Sequence, residues 1–293
     1  MRLRSPGPLR LGSAEFPPGR PLVMAIVNRT RDSFYQPGVT WDDKAAIDRV
    51  DQVVAEGADI LDIGGVPARA GNEVPVGEEI RRVVRFVERV RDVYPRLVIS
   101  VDTWRHEVGR AACKAGADLL NDTWGGWDEQ LADVAAEHGA GIVCAHAGGF
   151  APRSAPFRVA YKDVMADVLK RTLGLAERAV AQGVDPDRII IDPAHDFAKN
   201  TWHSLEVSRR LTEMTETGWP VLVAASRKDF VGETLGLPSK ERLPGTLAVT
   251  SVAAWMGVRI FRAHDVAATR QALDMVAAIR GDQPPARVTR GLE

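Results

Sequence analysis

Cysteine is scarce in this chain of 293 residues. There are two, Cys113 and Cys144, without metal-site spacing, which argues against a disulfide scaffold and against zinc or thiolate chemistry. They read as small buried hydrophobes of a cytoplasmic protein. Charge of one sign is also missing: the formal net charge is −1, which makes no case for a nucleic-acid or membrane partner. No apolar run approaches the roughly 20 residues that span a bilayer. Residues 1–20 are basic and rich in Pro and Gly but lack an apolar centre, so they are not a secretory signal. They read as a flexible N-terminal extension, and residues 282–293 as a polar tail.

What remains is 45% hydrophobic and 26% charged, a globular composition. From Leu22 onward, short Val/Ile/Leu-rich runs alternate with longer amphipathic segments. The runs begin with Leu22–Val27, then Asp59–Leu61, Leu97–Val101, Leu119-Leu120 and Gly141–Ala145. They continue with Ile189–Ile191, Val221–Ala225 and Val258–Phe261. Nearly continuous apolar strands suit parallel pairing with both faces covered. Helix patterns fall at 41–56, 77–93, 105–115, 128–138, 161–182, 201–217, 244–256 and 267–279, several closed by Gly. The segment Gly57-Ala58-Asp59-Ile60-Leu61-Asp62 nearly repeats as Gly116-Ala117-Asp118-Leu119-Leu120-Asn121. Eight strand–helix units in one domain, 21–281, predict an α/β fold of the (β/α)8 TIM-barrel type. A doubly wound open sheet is the main rival, and it would not need the count to be eight.

Each apolar run ends in a polar residue: Asn28, Asp62, Asp102, Asn121, His146, Asp192, Lys228 and Arg262/His264. In a barrel these open onto the C-terminal face, where the chemistry of this fold sits. Helix capping explains one Asp but would not select Lys228, Arg262 and His264. The set divides by charge. Asp102, Asn121 and Asp192 offer acceptors to a planar heterocycle with N–H donors. Arg262, His264, Asn28 and Arg69 suit a phosphate-like anion, which would favour the charged form of His264. Asn28 also offers an oxygen to a magnesium ion shared with phosphates.

At this point the chain resembles the dihydropteroate synthase family from about Leu22 to Ile279. The matching stretches are Met24-Ala25-Ile26-Val27-Asn28 with Asp32-Ser33-Phe34, Asp62-Ile63-Gly64-Gly65 and Ile99-Ser100-Val101-Asp102-Thr103. Asn121-Asp122, Asp192-Pro193 with Phe197 and Lys199-Asn200, Ser226-Arg227-Lys228 and Arg262-Ala263-His264-Asp265-Val266 follow. The resemblance implies condensation of 6-hydroxymethyl-7,8-dihydropterin diphosphate with 4-aminobenzoate, releasing pyrophosphate, in folate biosynthesis. It implies that Asp102, Asn121, Asp192 and Lys228 hold the pterin. Asn28, Arg262 and His264 would hold the diphosphate with Mg2+, and Asn28 would be the metal ligand. Arg69 and Phe197 complete the implied substrate-binding set; Asn28, Lys228, Arg262 and His264 form the catalytic one. A homodimer in the cytoplasm is the family expectation.

The family pattern breaks in specific places. Its second loop usually reads Asp-x-Gly-Gly-Glu-Ser-Thr-Arg-Pro-Gly. Here Val66, Pro67 and Ala68 replace the acid and both hydroxyls, Ala70 replaces the proline, and Arg69 and Gly71 remain. Asp229 stands where a serine usually helps to hold the aminobenzoate carboxylate. Two like charges about 4 Å apart repel by about 4 kcal/mol at an effective dielectric near 20, roughly a thousandfold in affinity, unless Asp229 pairs or faces solvent. Ala194-His195-Asp196 replaces Gly-Phe-Gly and Ala198 another glycine, adding polarity beside the second-substrate side. Arg29 and Arg31 add charge to the first loop. These changes leave two readings open: a synthase with altered second-substrate handling, or a paralogue that binds pterin or phosphate ligands without normal turnover. A pterin-dependent methyl-transfer barrel is a third, disfavoured by the Arg262/His264 pair.

Overall fold

Alternation along the strands decides this architecture. The computed structural model describes residues 7–30, 43–68, 71, 73–154 and 158–290. Eight strands run parallel: β3 (Leu22–Asn28), β4 (Ile60–Gly64), β5 (Val98–Asp102) and β6 (Leu119–Asp122), then β7 (Gly141–Ala145), β8 (Ile189–Asp192), β9 (Leu222–Val223) and β10 (Ile260–Ala263). Ladders join β10 to β3 and β9, and the others in sequence; a bridge from Ile191 to Val221 brings the two edges together. The barrel predicted from the eight-fold count is therefore the fold, and the open sheet is excluded by this closure.

Successive side chains point to opposite faces of a strand. Val23, Leu61, Ile99, Leu120, Ile142 and Phe261 face outward and share one core with helix residues such as Val83, Phe86 and Leu273. Leu22, Met24, Ile60, Val98, Leu119, Val143, Ile190, Leu222 and Ile260 face the barrel axis and form a second core. The polar site is built two residues further along the inward rows: Ile60 leads to Asp62, Val98 to Ser100 and then Asp102, Leu119 to Asn121, Ile190 to Asp192, Ile260 to Arg262. Register places Ile26, Asp62 and Ser100 on one level, and Asn28, Gly64, Asp102 and Asn121 on the next.

The outer layer is α1 (Asp43–Ala55), α2 (Val76–Val93), α3 (His106–Lys114), α4 (Gln130–His138), α5 (Val164–Ala181), α6 (Thr201–Arg209), α7 (Leu211–Thr215), α8 (Asp229–Leu235), α9 (Leu243–Trp255) and α10 (Val266–Arg280). The helix expected over 201–217 is broken at Arg210, whose φ of −113° and ψ of 18° leave the helical region. α8 was not expected; five residues separate it from the seventh barrel strand, which is shorter than the run 221–225. The helix start expected at Trp41 lies outside the described residues. Among the described residues no helix is long and apolar enough to cross a membrane.

The N-terminal extension is corrected. β1 (Leu9–Leu11) and β2 (Ala14–Phe16) form an antiparallel hairpin whose Leu9 and Leu11 are fully buried in the inner core. Arg259, at the start of β10, donates to the carbonyls of Gly7 (3.1 Å), Phe16 and Pro17 (2.7 Å), tying the hairpin to the N-terminal end of the barrel. A Pro/Gly-rich composition suggested looseness, but two leucines two residues apart supply the apolar face that plugs this opening. At the other end, residues 282–290 form an exposed tail.

Candidate functional site

At the opposite, C-terminal end lies a pocket of about 420 Å³. Asp102, Asp192, Phe197, Lys228, Arg262 and His264 all line it, so six of the predicted site residues converge on one cavity. The sequence expectation that a barrel would gather them holds for geometry. Asn121 is fully buried beside Asp62: its Nδ2 donates to both Asp62 oxygens at 3.3 Å, and its Oδ1 has no partner among the described residues. A donor at the pocket floor would satisfy that atom, since a buried unpaired acceptor is costly. Asn28 ends β3 at the same level. Its Oδ1 is so near Gly64 that a Cβ there would lie 2.9 Å from it, so glycine at 64 is what lets the amide occupy its place. Arg69 lies outside the described residues.

Arg262 is the electrostatic centre. Its Nε donates to Asp62 at 2.6 Å and one Nη to Asp102 at 2.9 Å. Burial works against its charge, but Asp62 and then Asp102 outweigh that and push its pKa up. Ser100 adds a third donor to Asp62 at 2.6 Å. Arg262 is thus held by two acids, a partnership absent from the expected division into acceptors and anion holders. Asp62, given no separate role from sequence, is the buried counter-charge. The signal was present: Asp62 sits two residues past the inward-facing Ile60.

Burial raises Asp102 to about 7, with Arg262 opposing and Asp62 reinforcing the shift. Burial also raises Asp192, against the pull of Lys228; its Oδ1 accepts from the Ala194 amide at 2.6 Å. The Asp102 carboxyl therefore can donate or accept near neutrality, which suits an amide-like ring edge. Lys228 donates to the His195 carbonyl at 2.5 Å and lies 5.0 Å from the Phe197 ring centre. Burial lowers its pKa. For His264, burial first and Arg262 second push the pKa down to about 3, which works against the charged form expected beside an anion. Its Nδ1 meets Ser226 Oγ at 3.0 Å.

Two histidine readings are corrected. His146 follows the inward-facing Ala145, so it points outward, bonding Asp167 at 2.8 Å and Lys199 Nζ at 2.7 Å. His195 does not add polarity to the pocket; it is fully buried, stacked on Phe230 at 5.2 Å. Asp229 faces solvent and pairs with Arg242 at 2.7 Å, so the repulsion allowed for from sequence is largely relieved. Arg29 is not a free anion contact either: its guanidinium lies 4.7 Å from the Phe86 ring centre.

Lys199 is the residue that sequence reasoning undervalued. Its Nζ reaches the carbonyls of Ala194 (3.1 Å), Phe197 (3.1 Å) and His146 (3.3 Å), clamping a loop in which Ala194, Asp196 and Ala198 all have positive φ. Three non-glycine residues in that region carry strain that the surrounding bonds must hold. Burial pulls Lys199 down to about 7.

A model of the family described as "Pterin binding enzyme" matches residues 24–264. The "Inactive dihydropteroate synthase 2" of Mycobacterium tuberculosis is 56% identical over 277 residues, 93% of this chain and 87% of that protein. The "Dihydropteroate synthase" of Streptococcus pyogenes is 37% identical over 265 residues, 89% of this chain and 95% of that protein. The crystal structure of the Yersinia pestis dihydropteroate synthase with a sulfonamide drug complex superposes with a TM-score of 0.89 at 32% identity, covering 94% of this chain and 100% of that one. The family match over most of the barrel, and the pocket residues gathered at its C-terminal end, place this chain in the pterin-binding enzyme family, among the dihydropteroate synthases and their divergent paralogues.

Proposed function

We propose that the pocket binds 6-hydroxymethyl-7,8-dihydropterin diphosphate, and that the chain condenses it with an aryl amine far more slowly than a dihydropteroate synthase. One contrast carries this reading. Asp102, Asp192, Lys228 and Arg262 line the inner half with their orientations fixed by protein partners, whereas Pro67 and Ala68 line the outer half without any side-chain hydrogen bond to offer. The name of the Mycobacterium tuberculosis relative supports the same direction.

In the condensation the amine nitrogen forms a bond to the exocyclic methylene carbon of the pterin. The carbon–oxygen bond to the diphosphate breaks, the electron pair leaves with pyrophosphate, and the amine gives up a proton. Acceptors at Asp102 and Asp192 suit the ring edge and stabilise positive charge developing on it. Arg262, through the Nη not held by acids, and neutral His264 suit the leaving diphosphate. The oxygen of Asn28 fits a hard cation such as Mg2+ shared with phosphate oxygens, and Asn28 would hold it; bound there, the ion would neutralise charge on the leaving group.

A homodimer in a reducing cytoplasm completes the reading. Val252 and Trp255 on α9, and Met275 and Ile279 on α10, are large apolar side chains left exposed on two helices packed together, which supports pairing through that face. Cys113 and Cys144 are both free thiols, which supports the compartment.

The test is calorimetric titration with the pterin diphosphate and Mg2+, beside a condensation assay with 4-aminobenzoate. Binding with little turnover is expected, and Pro67→Ser/Ala68→Thr/Asp229→Ser should raise turnover. Turnover like that of an authentic synthase, or no pterin binding at all, would overturn the proposal.

A further inference from the structure

Asp196 stands at the junction of two cavities. It lines the 420 Å³ pocket and an adjoining one of about 490 Å³, which share Ala68, Phe197 and Asp229 along their border. Its Oδ2 accepts from the backbone amides of Asp229 at 2.7 Å and Phe230 at 3.2 Å, the first residues of α8. Its Oδ1 meets Ser204 Oγ at 3.2 Å, and Ser204 Oγ also accepts from the Asp196 amide at 3.1 Å. These bonds hold a residue whose φ of +68° belongs to the left-handed region. The carboxylate therefore occupies the backbone donors beside position 229, where the resemblance places a serine that helps to hold an aminobenzoate carboxylate.

The cations around it are already committed. Arg227 donates to both oxygens of Asp265, at 2.8 and 2.9 Å, and to the carbonyls of Ser239 and Lys240. Arg242 holds Asp229, Lys228 holds the His195 carbonyl, and Lys199 holds three loop carbonyls. Arg158, on the far rim of the adjoining cavity, has an interaction of its own. A ligand carboxylate in the outer half would meet the Asp196 charge while Arg227, Arg242, Lys228 and Lys199 already hold protein groups, an arrangement that disfavours it. A carboxamide of the same shape brings no charge, and its N–H groups match the acceptors that Asp196 presents.

We propose that Asp196 sets the specificity of the outer half: by filling the amides at the start of α8 with its own carboxylate, it makes the site select an uncharged aryl amine over an aminobenzoate. This rests on the pterin reading of the inner half. A carboxylate built into the chain takes the place that a substrate carboxylate would need, so the substitution in the loop after β8 and the one at position 229 act together.

The experiment uses the full chain. Pterin diphosphate binding with Mg2+ is measured first by calorimetry; the pterin-loaded protein, with pyrophosphate in place of the diphosphate to prevent turnover, is then titrated with 4-aminobenzamide and 4-aminobenzoate. The amide is expected to bind at least about tenfold tighter. Asp196→Asn, which keeps a side-chain oxygen for the α8 amides and tolerates positive φ, should shrink that preference about tenfold. Asp196→Gly, which suits the backbone and frees the amides, should reverse it. Equal or tighter binding of 4-aminobenzoate by the unmodified protein, or binding of neither compound, would overturn the assignment of Asp196 while leaving pterin binding intact. So would an unchanged preference in both variants. Absence of pterin binding in the first titration would overturn both readings.

Discussion

Arg262 and Asp62, carried by β10 and β4 and separated by 200 residues, form an ion pair of 2.6 Å inside the barrel with Asp62 fully buried. Asp102 takes the next nitrogen of the same guanidinium. Removing one member of such a pair leaves an uncompensated buried charge, which costs about 3–5 kcal/mol. Asp62→Ala should lower stability by that amount in urea unfolding and weaken pterin binding as Arg262 loses its orientation. A loss under about 1 kcal/mol would mean that water or Asp102 alone satisfies Arg262.

Asp102 ties stability to pH. Burial raises its carboxyl from 3.8 to about 7, so the folded chain keeps a proton that the unfolded chain releases near 3.8. The contribution of this group is complete below the unfolded value and is lost as pH rises through about 7. Asp122, raised to about 6 by burial, works in the same direction. The urea midpoint should therefore carry a component that falls with rising pH over this window, and Asp102→Asn should flatten it. An unchanged slope in that variant would place the proton elsewhere.

Lys199 clamps the loop after β8 through three carbonyls. Lys199→Met keeps the length but leaves those carbonyls without their donor, at about 1–3 kcal/mol for each buried group that water does not reach. Faster amide exchange across residues 194–199 is the expected outcome. Ala194→Gly should act oppositely, gaining about 0.5–1 kcal/mol, because its φ of 49° strains a side chain that glycine lacks. Exchange unaffected by Lys199→Met would show that the loop is held without the clamp.

The hairpin at the N-terminus belongs to the core. Leu11 is fully buried within the inner cluster, so Leu11→Ala should cost about 2–5 kcal/mol in thermal or urea unfolding. A neutral result would return residues 9–16 to the status of an extension.

The exposed face of α9 and α10 is the basis for the dimer. Trp255 is 59% exposed, and Trp255→Glu would bury a charge in any interface formed there. Light scattering should then report a monomer where the unmodified chain gives a dimer. A variant that stays dimeric would move the interface to another face.

Period-two alternation made much of this protein legible beforehand. Inward-facing Ile60, Val98, Leu119, Ile190 and Ile260 predict that Asp62, Asp102, Asn121, Asp192 and Arg262 face the axis, because side-chain direction repeats every second residue. The same rule shows why His146 was misplaced: it lies three residues past inward-facing Val143, an odd step that turns it to the outer face. His195 failed for a related reason, since a loop has no such period.

The sequence by itself determined the barrel, the end at which it is polar and most of the residues gathered there, since each depends on local pattern and strand count. Tertiary structure alone decided which of those residues neutralise one another. Arg262 finds Asp62 and Asp102, Asp229 turns out to Arg242, and Asp196 reaches the amides of α8. Such pairings depend on distances between segments that are remote along the chain, and they are set when the barrel closes and burial raises the cost of leaving any charge alone.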